Sequence, residues 1–170
     1  GRGAMKPCPY LDIKRLVNEF SNFARLPQSV PVVGDLSVVI RDSLELFHNA
    51  HKEIALTYDA DENLPAFRFD PDQIRRAMIN LLDNAVAAVH TGPAPRIGIR
   101  TQYDGLLRLV RVSIVDNGVG IPDNNRDRVF EPYFSTKDSG TGLGLAIVKR
   151  IVEDHNGFVR ALANEPHGTK

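Results

Sequence analysis

The sequence predicts an α/β (α+β) two-layer sandwich, a mixed, mainly antiparallel sheet with helices on one face, preceded by one N-terminal helix. Three observations carry that expectation. Apolar residues recur at helical spacing in separate stretches, strict alternation marks short strands between them, and one long glycine-bearing stretch has no sustained period at all.

The elements follow in order. Between Asp12 and Leu26 the residues Ile13, Leu16, Val17, Phe20, Phe23 and Ala24 form a helical stripe that Pro27 ends. That stripe has no partner within so short a segment, so it packs on the following domain or on another chain. Pro27 to Gly34, rich in proline and glycine, reads as a linker. A second helix begins after Asp35, with Leu36, Val39, Ile40, Leu44 and Phe47 on one side, and fades near Ala50. Ile54, Leu56 and Tyr58 then alternate with Ala55, Thr57 and Asp59, and Phe67-Arg68-Phe69 repeats the pattern, which gives two short strands.

Asp70-Pro71-Asp72-Gln73 announces a helix to about His90: Asp70 caps it, Pro71 suits its first turn, and Gln73 stands where a capping-box side chain reaches back. Arg96 to Tyr103 and Leu106 to Val115 alternate around Asp104-Gly105, a hairpin signal. Asp116 to Thr141 is the long aperiodic stretch, and loops of that length tend to be functional. Leu143 to Asp154 returns to helical spacing, Asn156-Gly157 stops it, and Phe158 to Ala163 reads as a last strand.

Composition bounds the function. Twenty-one basic residues balance twenty-one acidic ones, so no global field draws the chain to nucleic acid or to an anionic membrane, and an anionic ligand must be held locally. Cys8 is the only cysteine, which excludes an internal disulfide and a cysteine-rich metal site and fits a cytoplasmic setting. No apolar run is long enough to cross a bilayer, so this fragment is expected not to be membrane-embedded. Gly1 to Met5 reads as an expression scar ahead of an internal start.

Three clusters can carry chemistry. Asn80 and Asn84 stand four apart and share a helix face beside Asp83. Such a neutral oxygen-bearing pair suits Mg²⁺ already bound to phosphates, which takes one or two protein oxygens and keeps its waters; a solvated helix face is the competing reading. Asp116-Asn117-Gly118-Val119-Gly120-Ile121-Pro122 follows an apolar strand. A carboxylate there can accept from an exocyclic amine while the glycines admit a flat ring, although Asn-Gly is also a common hairpin turn. Gly140-Thr141-Gly142-Leu143-Gly144-Leu145 opens a helix, where free N–H groups and the positive dipole end favour phosphate, with Lys137 just upstream as a point charge. Alone, that glycine run is equally a flexible loop; it matches neither a Walker loop nor a dinucleotide fingerprint.

Taken together, Asn80-Leu81-Leu82-Asp83-Asn84-Ala85 resembles the N box, Asp116 to Gly120 the G1 box, Phe130-Glu131-Pro132-Tyr133-Phe134 the F box and Gly140 to Gly144 the G2 box of sensor histidine-kinase ATP-binding domains. The match spans roughly Asp35 to Thr169, and the phrases Phe20 to Pro27 and Tyr133 to Lys137 further resemble nitrogen-regulation kinases of the NtrY type. The resemblance implies the Bergerat (GHKL) fold, with ATP and Mg²⁺ as ligands. Asn84 would bind the metal with Asn80 in support, Asp116 would read the adenine amine, and Gly140, Thr141, Gly142, Leu143 and Gly144 would cover the phosphates. Gly118, Gly120, Ile121, Tyr133, Thr136 and Thr169 would line the nucleotide, with Lys137 beside it; Asn80, Asn84 and Lys137 form the implied catalytic set. Asp123 to Thr141 would be the ATP lid.

The resemblance also orders the chain: residues 6–34 as the tail of a dimerisation-hairpin helix and linker, and 35–170 as the catalytic domain with its last strand cut short. It implies γ-phosphoryl transfer to a histidine on that hairpin, a response regulator downstream, and a homodimeric parent anchored in the inner membrane. None of His48, His51, His90, His155 and His167 stands in the acceptor context of the family, so the acceptor lies elsewhere and the fragment alone is expected to be nearly inactive. Two departures weigh against full activity. Ala87 and Ala88 stand where many members carry a Lys-Tyr pair, which makes Lys137 the candidate substitute, and after Gly168-Thr169 the expected apolar strand is missing. The alternative is a degenerate nucleotide-binding or partner-docking scaffold. Hydrolysis is disfavoured, because ATP-hydrolysing relatives place a Glu where Asn80 stands, and an amide cannot act as that base.

Overall fold

The computed structural model describes residues 27–90, 92–135 and 141–170, together with Val17 and Ser21. The helix expected over Asp12–Leu26 therefore lies, but for those two residues, outside the described part.

Residues Val32–Gly34 (β1) and Phe67–Phe69 (β3) pair antiparallel as a two-stranded sheet. Ala55–Asp59 (β2), Arg96–Asp104 (β4) and Leu109–Asp116 (β5) form a three-stranded sheet in the order β2-β4-β5. The β2–β4 pair is parallel and β4–β5 antiparallel, so the sheet is mixed, as alternation and element order suggest. Helices Leu36–Ala50 (α1), Pro71–Val89 (α2) and Gly144–Asp154 (α3) complete the two layers.

The core lies where the helical stripes meet one face of β4 and β5. Ile97 and Ile99 of β4 are buried with Ile40, Phe47, Phe69, Leu82 and Val89, while Val110 and Ile114 pack at the margin. A second cluster joins α2 to α3 through Ala77, Ile147, Val148 and Ile151. The opposite sheet face carries the exposed Arg100, Gln102 and Arg111, so alternation along each strand sorts core from solvent.

The sequence expectations differ from the structure in four places. The linker Pro27–Gly34 includes strand β1, because Val32–Gly34 finds an edge partner in β3 only after the chain has folded back. The Asp104-Gly105 turn is longer than two residues: Asp104 and Leu109 are the last ladder pair, and Leu106 to Arg108 belong to the loop. Asp104 Oδ1 accepts the N–H groups of Leu106 and Leu107, both at 3.0 Å, and Arg108 takes a left-handed φ of 51°, which opens the turn. Phe158–Ala163 forms no strand; its pairing is a bridge from Ala163 to Thr169 and the Leu162–Lys170 hydrogen bonds. A strand needs a paired neighbour, and alternation alone does not supply one. Lastly, Asp70 caps α2 through the N–H groups of Asp72 and Gln73 as expected, but Gln73 does not reach back. Its Nε2 donates to Pro27 O at 2.9 Å, and the Asp70 N–H goes instead to His155 Nε2.

Candidate functional site

The site forms where the middle of α2, the end of β5 and the start of α3 converge. On α2, Asn80 Nδ2 donates to Arg76 O and Asn84 Nδ2 to Asn80 O, both at 2.9 Å. These bonds turn both amide nitrogens back to the preceding turn of the helix and so orient the two side chains. Gly144, the first residue of α3, sits directly on this pair: a Cβ there would lie 2.9 Å from Asn80 Oδ1 and 4.0 Å from Asn84 Nδ2. A side chain at this position would have to displace the Asn80 amide. α3 carries no side-chain cap, so the asparagine face meets an uncapped helix N-terminus whose dipole favours negative charge.

Asp116 ends β5 and is almost completely buried. Its Oδ1 accepts the N–H groups of Gly118 at 2.9 Å and Thr169 at 3.2 Å, and among the described residues these are the hydrogen bonds to its side chain. Burial pushes its carboxyl above the ordinary value near 3.8, against the downward pull of those two N–H groups. The result is a desolvated acceptor with Oδ2 in reserve, suited to a single directional bond. Its backbone is held as firmly: Asp116 N–H donates to Thr169 O at 2.9 Å and Asn164 Nδ2 to Asp116 O at 3.0 Å. Thr169 thus enters the site through its backbone, covering the β5 edge at this point.

The glycine loop after Asp116 is stitched to α2. Val119 N–H donates to Ala88 O at 3.2 Å, and a Cβ on Gly118 would collide with the carbonyl and Cβ of Ala88. Ala88, a departure from the family pattern in sequence, therefore has a packing role as the surface on which this loop lies. Ile121 O accepts from Arg126 Nε at 3.2 Å, and Arg126 also pairs with Asp123 at 2.5 Å. Gly120 backs onto Gly168.

The two remaining boxes are joined backbone to backbone. Tyr133 N–H donates to Gly142 O at 3.0 Å, and Gly142, with φ of +70°, packs against the backbone of Tyr133 and Phe134. Leu143 is fully buried and anchors the turn, and Thr141 is half-buried. The Tyr133 side chain is exposed. Phe134 lies under the Arg128 guanidinium, 4.6 Å from its ring centre. Thr136, Lys137 and Gly140 lie outside the described residues.

Hence Asn80, Asn84 and Gly144 come together on one side, and Asp116, Gly118, Gly120 and Thr169 on the other, while Gly142 and Leu143 tie the phosphate turn to Tyr133. Sequence reasoning missed Arg126 and Asn164, and gave Asn117 no role beyond its place in the G1 run. Asn117 takes the Arg96 N–H at 2.8 Å and donates to Ala94 O. All three hold backbone at strand ends or in the adjoining loops, two of them across long sequence separations, which leave no local signal to find.

This is a nucleotide-type site on an α/β sandwich: a buried carboxylate beside a glycine loop that lies on α2, and on the same helix an asparagine pair under the N-terminus of α3. The chain belongs to the family of histidine kinase-, DNA gyrase B- and HSP90-like ATPases, whose profile matches residues 69–170. Within that family it falls with the sensor histidine kinases. It is 39% identical to nitrogen regulation protein NtrY of Azorhizobium caulinodans over 92% of this chain and 20% of that protein, and 34% identical to sensor histidine kinase ZraS of Escherichia coli K12 over 92% of this chain and 33% of that one. The chain thus spans a fifth to a third of the length of these curated relatives. Among solved structures, full-length ShkA in complex with AMPPNP matches with a TM-score of 0.80 at 29% identity, over 92% of this chain and 34% of that one. The catalytic domain of histidine kinase ThkA matches at 0.72 and 29% identity, over 82% of this chain and 91% of that one. The ATP-binding histidine-kinase domain expected from the four boxes is therefore what the comparisons support.

Proposed function

We propose that this domain binds Mg-ATP and transfers the γ-phosphoryl group to a histidine presented by the phosphoacceptor hairpin of the same kinase. The observation that carries this reading is the close approach of Gly144 to Asn80, because it sets the start of α3 against a helix face that carries two asparagine side chains. Asp116 would hold the adenine amine through Oδ2 while Gly118 and Thr169 keep the carboxylate in place. Asn84, supported by Asn80, would hold Mg²⁺, which when bound neutralises charge on the phosphate oxygens. Gly142, Leu143 and Gly144 would offer backbone N–H groups to the β- and γ-phosphates, with Lys137 adding a charge.

In the transfer, the bond from the γ-phosphorus to the bridging oxygen of ADP breaks, an N–P bond forms to the incoming imidazole nitrogen, and ADP leaves. A neutral imidazole nitrogen is already a nucleophile, so the residues named here need to align and to neutralise charge rather than remove a proton beforehand. That fits Asn80, whose amide cannot activate water as a carboxylate would. Support for nucleotide comes from the AMPPNP complex of ShkA, and support for a response regulator downstream from the ThkA structure solved with the response regulator TrrA, a fold-level likeness at 24% identity. We place residues 6–31 in the proposed parent as hairpin tail and linker, with Val32–Gly34 already part of the catalytic domain, the parent as a membrane-anchored homodimer, and this domain on its cytoplasmic side. Among the described residues no helix is long and apolar enough to cross a membrane.

The test is calorimetric titration of a non-hydrolysable ATP analogue with magnesium, followed by phosphotransfer to a hairpin supplied in trans. Binding that is lost in Asp116→Ala and becomes insensitive to magnesium in Asn84→Ala is the expected result. A folded wild type that binds nothing would point to the docking-scaffold reading instead, and phosphate release without transfer would point to a hydrolase.

A further inference from the structure

Asp70 does more than cap α2. Its Oδ2 accepts the Val30 N–H at 2.8 Å, and its own N–H donates to His155 Nε2 at 3.0 Å. His155 stands just past α3, with Nδ1 2.7 Å from Ile151 O, so the neutral Nδ1–H tautomer meets both contacts. Two more bonds hold the segment in which Val30 lies: Gln73 Nε2 to Pro27 O and Arg68 Nη2 to Pro31 O, each 2.9 Å. Residues 27–31, through which the chain enters the domain, are therefore fastened to the N-terminus of α2, and the far end of α3 is fastened to the same aspartate.

We propose that Asp70 and His155 are positioning residues which couple segment 27–31 to the register of α3 along α2, and through it to the Gly144 turn of the site. The functional side of this proposal rests on reading that turn as the phosphate end. α3 lies antiparallel to α2, with Gly144 against Asn80 at one end and His155 against Asp70 at the other. Eleven residues make a rod of about 16 Å, and a packed helix shifts as a unit, so axial movement at His155 appears at Gly144, which lies against Asn80. The hold on the segment is also releasable. Among the described residues, Ser29 Oγ and Gln73 Oε1 are buried without a hydrogen-bond partner, and both belong to this junction. Unpaired buried polar atoms offset part of what the neighbouring bonds contribute.

Two variants test the coupling by amide hydrogen exchange without nucleotide, alongside titration with the magnesium complex of an ATP analogue. Asp70→Asn keeps an oxygen for the cap but can present Nδ2 where Val30 needs an acceptor. His155→Leu removes the acceptor for Asp70 N–H. In Asp70→Asn the Val30 amide should exchange about tenfold faster, the loss of one bond, and Ile147 and Val148 of α3 should also speed up severalfold, while Met78 to Leu82 keep wild-type rates. His155→Leu should loosen α3 and Val30 together. Val30 released with α3 unchanged in Asp70→Asn, or α3 released with Val30 unchanged in His155→Leu, would overturn the coupling. A wild type that binds no nucleotide yet shows coupled exchange would sink the kinase reading alone.

Discussion

Gly144→Ala isolates the contact on which the site depends. The added methyl would sit 2.9 Å from Asn80 Oδ1, closer than real Cβ contacts come. Asn80 cannot swing away freely, because its Nδ2 is bonded to Arg76 O at 2.9 Å. Either that bond is lost, at about 0.5–1.5 kcal/mol, or α3 moves off α2, an overpacking cost of about 1–3 kcal/mol. A destabilisation near 1–2 kcal/mol is expected from denaturant titration, with a Tm lower by a few degrees for a chain of this size. The affinity for a magnesium–ATP analogue should fall by about tenfold if ~1.4 kcal/mol of alignment is lost. The decisive comparison is Gly144→Ala in an Asn80→Ala background. With the oxygen gone the methyl has room, so the same substitution should become neutral or slightly stabilising, as alanine is normally preferred over glycine in a helix. Equal cost in both backgrounds would refute the steric argument and leave glycine there for another reason.

Four further outcomes follow from the structure. Asp116→Asn keeps an oxygen for Gly118 and Thr169 but offers an N–H₂ donor toward an amine, so nucleotide affinity should drop roughly 10- to 100-fold, the worth of a charge-assisted bond, while the fold stays intact. Because burial raises the folded-state value of Asp116, its charge costs stability above that value and the cost is relieved as pH falls through it; Asp116→Asn should therefore stabilise the domain at neutral pH, with a gain that shrinks toward pH 3.8. Asp70 behaves oppositely: burial alone would raise its carboxyl, but the N–H groups of Val30, Gln73 and Asp72 outweigh burial and hold it below 3.8. Its contribution is present above that value and is lost as pH falls through the depressed one, so Asp70→Ala should cost about 1–2 kcal/mol at pH 7 and progressively less in acid, read from denaturation midpoints across pH. Finally, amides of Asp123 to Ser135 should gain exchange protection on adding the magnesium–ATP analogue, whereas equal protection with and without it would remove that stretch from the proposed lid.

Much of this protein is legible in its sequence, because the relevant signals are local. Helical spacing and the Asp70-Pro71 start place α2, alternation places β4 and β5, and the four boxes carry the family resemblance, since each box is a short run whose chemistry depends on its own neighbours. Tertiary structure decided what depends on distant partners. Asp116 becomes a desolvated carboxylate only when Thr169, far along the chain, closes over it. The position of Gly144 comes to favour glycine only when α3 lands on Asn80. Val32–Gly34 becomes a strand where β3 supplies a ladder, whereas Phe158–Ala163, with comparable alternation, does not. His155 takes the bond that Gln73 was placed to make, because a side chain in sequence reach competes with any group the fold brings nearer. Hydrogen bonds and close contacts act over a few ångströms in space, and sequence distance predicts that separation only within a turn or two of helix or along one strand.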